Sequence, residues 1–230
     1  MAQSYKALLL DMHGTFMFGH DRFDDFERVA RRAQSLGGTL PVGRAADILQ
    51  QVFQRLESCY QDSSPMPALA DVLAETLAPG EAHQAEALAA SFAQFECGRV
   101  PEACALAIKK LAAHYPLALV SDIWSPKDLW LQELKRVGVD ECFSACYFSS
   151  DNGVTKPARE PFMSALGTLG VEPSAALMVG DSPSRDLAGA CAVGMDCLVI
   201  GNTEQTETQS GLDKSLPNLP ALVEWLALGV

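Results

Sequence analysis

The chain has 230 residues, 48% of them hydrophobic, and a formal net charge of −12 at neutral pH. That much apolar material supports a packed core and excludes global disorder. The acidity excludes general binding to nucleic acid or to an anionic membrane, since both need basic surface.

The length fits one domain, or a domain that carries an insertion. Phosphate can bind such an acidic protein only where a metal ion and a local Lys or Arg reverse the field. The seven cysteines are odd in number, scattered and free of any C-x-x-C pair. They read as small buried hydrophobes in a reducing compartment. The first strand pattern begins within six residues of Met1, leaving no room for a signal peptide. No apolar run approaches bilayer length, and a soluble cytoplasmic protein is expected. Nothing in the sequence fixes the oligomeric state.

Residues Ala7–Leu10 form a wholly apolar run, the pattern of a strand covered on both faces of a parallel sheet. The run stops at Asp11, and Gly14 lets the chain turn where a Cβ would be strained. Asp11 is thereby presented at the carboxyl end of a buried strand, where open α/β sheets bind ligands. Taken alone, the same residues are also an ordinary turn.

About eighty residues of helical periodicity follow. Phe23, Phe26, Val29, Ala30 and Ala33 mark a helix that ends at Gly37 and Gly38. Ile48, Leu49, Val52, Phe53 and Leu56 line one face of a second, over 44–60. Leu69, Val72, Leu73 and Leu77 mark a third, with a turn at Pro79 and Gly80, and Ala87, Leu88, Phe92 and Phe95 mark a fourth. No strand pattern interrupts them. Residues 19–99 therefore read as an all-helical insertion whose aromatic residues form its own core.

From Pro101 the alternation of βαβ units begins. A helix through Ala105, Ile108, Leu111 and Ala112 leads to a strand ending at Ser121 and Asp122. A helix over 129–137 precedes a short strand near 145–148, and a loop through Lys156 and Pro157 precedes a helix over 160–169. A strand from Ala176 ends at Gly180 and Asp181. A helix over 186–193 leads to a last strand near 197–200. Residues 203–215 are polar and read as a loop, and 219–228 as a terminal helix packed on the sheet. Two α/β pieces flanking a helical block make one discontinuous sheet domain, 1–18 plus 100–230, with a cap of 19–99.

Polar groups follow the strand ends in chain order: Asp11 with His13, then Ser121 and Asp122, Lys156 in a loop, and Asp181 with Asp186. A carboxylate, a hydroxyl, a lysine and two further carboxylates are the parts needed for phosphoryl transfer. Each has an ordinary alternative. Ser121 could cap a helix, Lys156 could be solvated, and Asp186 could balance a helix start.

Order and context together resemble the haloacid dehalogenase superfamily. Its strand and Asp-x-Asp-x-Thr motif corresponds to L-L-L-D-M-H-G-T at 8–15, and its strand ending in Ser or Thr to L-A-L-V-S at 117–121. Its lysine matches Lys156, and its Gly-Asp with a further Asp matches G-D-S-P-S-R-D at 180–186. The resemblance implies an α/β fold, a three-layer Rossmann-like parallel sheet core with an all-helical cap inserted after the first strand. The first strand would be central, with the strands ending at Ser121 and Phe148 on one side and those ending at Asp181 and Ile200 on the other.

It also implies a magnesium-dependent phosphatase acting on a small phosphorylated metabolite through an aspartyl-phosphate at Asp11. Magnesium would lie between Asp11, the main-chain carbonyl of His13 and Asp181. Ser121, Asp122 and Lys156 are the candidates for substrate binding, Lys156 also neutralising Asp11. Asp186 would orient Lys156 or a metal-bound water.

One position departs from the pattern. The usual second Asp, which protonates the leaving oxygen and then activates water, is His13. Its free pKa of about 6.5 suits proton transfer, but magnesium and Lys156 nearby disfavour the imidazolium. A slow phosphatase, or one that favours good leaving groups, is expected. Two alternatives stay open: a dehalogenase-like carbon-centred hydrolase, whose leaving group needs no proton, and a catalytically weak protein that binds a ligand or partner.

Phe16, Phe18, His20, Asp21 and Arg22 lie where the chain passes into the cap. Arg22 could hold a second anionic group of a substrate or be a solvated helix-start residue. Trp124 could line the cleft or pack beneath the cap.

Overall fold

The computed structural model describes residues 5–62, 65–201 and 215–227. Six parallel strands form one sheet in the order β3-β2-β1-β4-β5-β6. They are β1 (Ala7–Leu10), β2 (Leu117–Ser121), β3 (Phe143–Phe148), β4 (Ala176–Gly180), β5 (Asp196–Ile200) and β6 (Ser215–Leu216). β1 is central, hydrogen-bonded to β2 on one side and β4 on the other. All the carboxyl ends therefore open on one edge.

The absence of polar alternation in the central strands has a direct cause. Leu8 and Leu10, with Leu117, Leu119, Leu177 and Val179, face one layer of helices, α5 (Glu102–Ala112), α6 (Asp128–Arg136) and α10 (Leu219–Trp225). Their neighbours Ala7, Leu9, Ala118, Val120, Ala176 and Met178 face the other, α8 (Arg159–Leu169) and α9 (Ala188–Val193). A strand buried on both faces must be apolar at every position. Small Ala and large Leu or Phe alternate across these layers, which lets Phe162 and Trp130 become fully buried.

Between β1 and α5 lie, among the described residues, four α-helices, α1 (Phe26–Ser35), α2 (Val42–Gln61), α3 (Leu69–Thr76) and α4 (Ala85–Glu96). They enclose their own cluster, in which Ile48, Leu49, Leu56, Leu73 and Phe92 are inaccessible or nearly so. This is the cap. Two strands of chain join it to the sheet, and Phe18 and Arg99 exchange both main-chain hydrogen bonds there, at 2.9 and 2.8 Å. Gly98 is required at this crossing, because a Cβ would lie 2.7 Å from the Phe18 carbonyl oxygen.

Several boundaries differ from the sequence expectation. Phe23 lies ahead of α1, in the loop that enters the cap, and still packs into the cap cluster. The turn at Pro79 and Gly80 extends as a 3-10 helix to Gln84. β3 starts two residues earlier than its apolar pattern, since the edge position exposes Ser144. Ser149–Asn152 form a short helix, α7, where a loop was expected. Asp186 lies in a π-turn, Pro183–Leu187, ahead of α9. Ser215 is not loop but pairs with Val199 in β6, and the rest of the polar stretch, 203–214, lies outside the described residues. The terminal helix stops at Trp225, and 228 is likewise outside. The seven cysteines are free. Among the described residues no helix is long and apolar enough to cross a membrane.

The return passage from the cap is anchored by Glu133 of α6. Its carboxylate accepts from the Val100 N–H at 2.8 Å, from Arg99 at 2.7 Å and from Arg136 through two contacts of 2.7 Å. Burial alone would raise this carboxyl, but the hydrogen bonds from Arg136, Val100 and Arg99 hold it down to about 2. A depressed carboxyl contributes stability that is complete above its unfolded pKa and disappears as pH falls through the folded one. Glu133→Gln should therefore lose about 2 kcal/mol at pH 7, the scale of an unmade charge-assisted bond. In paired denaturation curves the gap from wild type should close as pH falls from 4.5 towards 2. A gap independent of pH over that window would contradict the role assigned to Glu133.

Candidate active site

The carboxyl edge of the sheet and the cap enclose an open cleft of about 680 Å³. At its floor lies a buried ammonium. Lys156 Nζ donates to Asp11 Oδ1 at 2.5 Å and to Asp186 Oδ1 at 2.7 Å, and the lysine side chain is only 3% exposed. The second Asp11 oxygen accepts from Thr15 Oγ1 at 3.1 Å, and the second Asp186 oxygen from the Ser182 N–H at 3.0 Å. Asp11, Asp181 and Asp186 each offer an oxygen within 4.8 Å of the others.

One cation faces three carboxylates here, and the proton affinities record the imbalance. Burial penalises the Lys156 ammonium, but Asp11, Asp186 and Asp122 reverse this and hold its pKa well above the ordinary value. Burial pushes Asp11 up to about 8; Lys156 opposes the shift, while Asp186 and Asp181 add to it. Asp181 rises to about 6 through burial and the charge of Asp186. A hard divalent cation would relieve this repulsion, and clustered carboxylate oxygens are the donors magnesium prefers.

Two glycines make the cluster possible. Gly14 has φ +75°, and a Cβ on it would sit 2.0 Å from Asp181 Oδ2. A Cβ on Gly180 would sit 2.3 Å from Asp186 Cγ. Ser121 ends β2 beside β1. Its Oγ is buried and has no hydrogen-bond partner, which marks a place for a ligand oxygen. Asp122 faces the cleft, yet its Oδ1 accepts the Lys156 N–H at 3.1 Å. That placement suits holding the Lys156 loop better than meeting phosphate.

His13 is tied to a residue with no visible sequence signal. The indole N–H of Trp130 donates to His13 Nε2 at 2.9 Å, so the neutral ring carries its proton on Nδ1. Burial, followed by the charges of His20 and Lys156, holds its pKa well below the ordinary value. The His20 ring stacks on it at 4.4 Å.

Arg22 is not in this cleft. Its guanidinium bonds the Gln94 and Cys97 carbonyls and faces a second cavity on the surface, so it cannot meet a second anion of a substrate bound at Asp11. Trp124 does both things considered for it, lining the cleft while packing on Phe53 of the cap at 5.5 Å.

A family model described as haloacid dehalogenase-like hydrolase matches residues 5–194. The chain belongs to that family. It is 26% identical to a ribulose-1,5-bisphosphate 5-phosphatase of Halopiger xanaduensis over 86% of this chain and 76% of the relative. A phosphoserine phosphatase of Thermus thermophilus is 35% identical, but over 41% of this chain and 37% of its own. A glyceraldehyde 3-phosphate phosphatase of Pyrococcus furiosus is 32% identical over 49% of this chain and 48% of its own. Among solved structures, a 2-haloacid dehalogenase of Pseudomonas syringae superposes with a TM-score of 0.69 at 22% identity, over 97% of this chain and 98% of that one. A HAD phosphatase of Thermococcus onnurineus gives 0.62 at 23% identity, over 96% and 97%. At such identities the superpositions show the fold, a parallel sheet core with a helical cap.

Sequence reasoning missed Thr15, Arg185, Glu96 and Trp130. Thr15 and Arg185 stand inside matched motifs and could have been found there. Arg185 stacks on Tyr60 of α2 at 3.2 Å, donating to the Lys156 and Tyr60 carbonyls at 2.7 and 2.6 Å. Glu96 ends α4 and accepts the N–H groups of Trp124 and Ser125 at 2.5 and 2.9 Å. Both contacts join cap to core over long sequence separations that no local pattern shows.

The space at Gly14 gives a test of the cluster. The clash of an added Cβ is with a side-chain end, and an alanine at φ +75° costs only about 1–2 kcal/mol in backbone strain, so Gly14→Ala should fold while displacing the Asp181 carboxylate. Manganese, used as a spectroscopic probe for a divalent cation, should bind at least about tenfold more weakly, with an unchanged far-ultraviolet dichroism spectrum. Unaltered manganese affinity would show that Asp181 is not a ligand.

Proposed function

We propose that this hydrolase is a magnesium-dependent phosphatase acting on a small phosphorylated molecule. The observation that carries the proposal is the contact of one buried ammonium with both Asp11 and Asp186, beside Asp181. Asp11 attacks phosphorus in line; the Asp11 O–P bond forms as the ester P–O bond breaks, and the leaving oxygen departs with the bonding electron pair and takes a proton from water. Water then attacks the phosphorus of the aspartyl-phosphate, releasing phosphate and restoring the carboxylate. Lys156 and Ser121 bind phosphate oxygens, and the Lys156 charge opposes the burial that favours the neutral form of Asp11. Asp186 fixes Lys156 through their 2.7 Å contact. Asp11, Asp181 and the His13 main-chain carbonyl are the ligands for magnesium, which when bound supplies positive charge to the phosphate oxygens. The catalytic core is 1–18 plus 100–230, and the cap 19–99.

The relatives named as phosphatases support this reading. A dehalogenase-like reaction would use Asp11 in the same way but has no use for clustered carboxylates suited to a cation. His13 does limit the chemistry. As a neutral ring with its proton on Nδ1 it is a weak acid, so esters whose alcohols leave without a proton should be favoured.

Phosphate release should be measured with and without magnesium for wild type, Asp11→Asn and His13→Asp. Wild type should depend on magnesium, Asp11→Asn should be inactive, and His13→Asp should be at least as fast as wild type. Release by wild type that is indifferent to magnesium, or persists in purified Asp11→Asn, would overturn the proposal. If only His13→Asp turns over, the natural protein is a binding member of the family.

A further inference from the structure

The main chain of Lys156 is gripped on both sides. Its N–H donates to Asp122 Oδ1 at 3.1 Å, and its carbonyl accepts from Arg185 Nη1 at 2.7 Å. The same Arg185 nitrogen lies 3.8 Å from Asp122 Oδ2, in an ion pair whose side chains are 13% and 5% exposed. One arginine and one aspartate therefore clamp a single residue.

The other end of the guanidinium meets the cap. Nη2 donates to the Tyr60 carbonyl at 2.6 Å, and the guanidinium carbon lies 3.2 Å from the centre of the Tyr60 ring. Tyr60 stands in the last turn of α2, where carbonyls have no partner four residues on inside the helix. The loop that bears Lys156 touches the cap again nearby, since the Met66 N–H donates to the Gly153 carbonyl at 2.7 Å. Two nitrogens and one face of Arg185 are committed in this way, which leaves it poorly placed to bind a substrate anion. Lysine could not take over the arrangement, because only a planar fork stacks on a ring while bonding two separate carbonyls.

We infer that Arg185 is a positioning residue that ties the main chain of Lys156 to the last turn of α2, so that the ammonium meets Asp11 only while the cap is seated on the sheet. Asp186, the next residue in the chain, holds the same ammonium at 2.7 Å. The turn Pro183–Leu187 thus fixes both the main chain and the side chain of Lys156. A misplacement of about 1 Å at a reacting group can slow a reaction about a hundredfold. The effect on turnover rests on the phosphatase reading proposed above; the clamp itself does not.

The test combines turnover of p-nitrophenyl phosphate with hydrogen exchange read by peptide mass spectrometry. In Arg185→Met the side chain can still lie on the ring but donates nothing, and kcat should fall at least about tenfold. Tyr60→Leu keeps the carbonyl and removes the ring, and should lower kcat at least about threefold. The double variant should stay within about threefold of Arg185→Met, because both changes break one clamp. In each variant the peptide spanning 153–158 should exchange at least about tenfold faster, with peptides of β4 and α4 unchanged. A kcat for Arg185→Met within about threefold of wild type, single losses that multiply in the double variant, or exchange at 153–158 that is unchanged or rises equally in β4 and α4, overturns the inference. Arg185→Lys, which keeps the charge and can bond one carbonyl, takes the place of Arg185→Met if that variant does not fold. Where wild type hydrolyses no ester, exchange alone decides. Faster exchange confined to 153–158 then leaves the clamp standing while the phosphatase proposal fails, and unchanged exchange overturns the clamp.

Discussion

Lys156 is the constraint on which the centre depends. A buried ammonium is strongly penalised unless partners surround it, and the partners here are carboxylates that would repel one another without it. Neither set of groups is stable in this place alone. The sheet supplies the geometry that makes them meet: Asp11 and Asp181 come from the ends of adjacent strands, and the lysine arrives on the loop after β3. Glycine at 14 and 180 leaves room for the carboxylates to approach, so the stability of the cluster and its chemistry have the same origin.

The cap completes the site from the other side. Its attachment at Phe18 and Arg99 is narrow, while Glu96, Arg185 and Tyr60 add polar contacts across the cleft. These contacts put the α2 face over the carboxyl edge of the sheet and limit the water around Lys156. In such surroundings charges interact more strongly than in bulk solvent. The sheet thus supplies the lysine and the clustered carboxylates, and the cap lines the rest of the cleft.

Much of this was legible in the sequence because it rests on local pattern. The unbroken apolar runs announced two-sided strands, helical spacing marked all four cap helices, and the ordered motifs singled out Asp11, Lys156, Asp181 and Asp186, which the fold brings to one cleft. β6 escaped because two residues at a sheet edge carry no periodicity. The Trp130 contact to His13 spans more than a hundred residues and joins two side chains that each look like ordinary core. Arg22 shows the converse, since proximity in sequence to the first motif suggested a substrate contact and the turn into the cap carried it to another face. Periodicity showed which side of α2 is apolar, but only the packed structure shows which of its polar residues face the cleft.

The central claim is that Asp11 itself becomes phosphorylated. The most direct measurement mixes enzyme, magnesium and substrate briefly, quenches with acid, reduces acyl phosphates with borohydride and locates the product by peptide mass spectrometry. Reduction should convert the aspartate at position 11, and no other residue, to homoserine. An unmodified Asp11 peptide under conditions where phosphate is being released, or homoserine formed at Asp181 or Asp186 instead, would contradict the account.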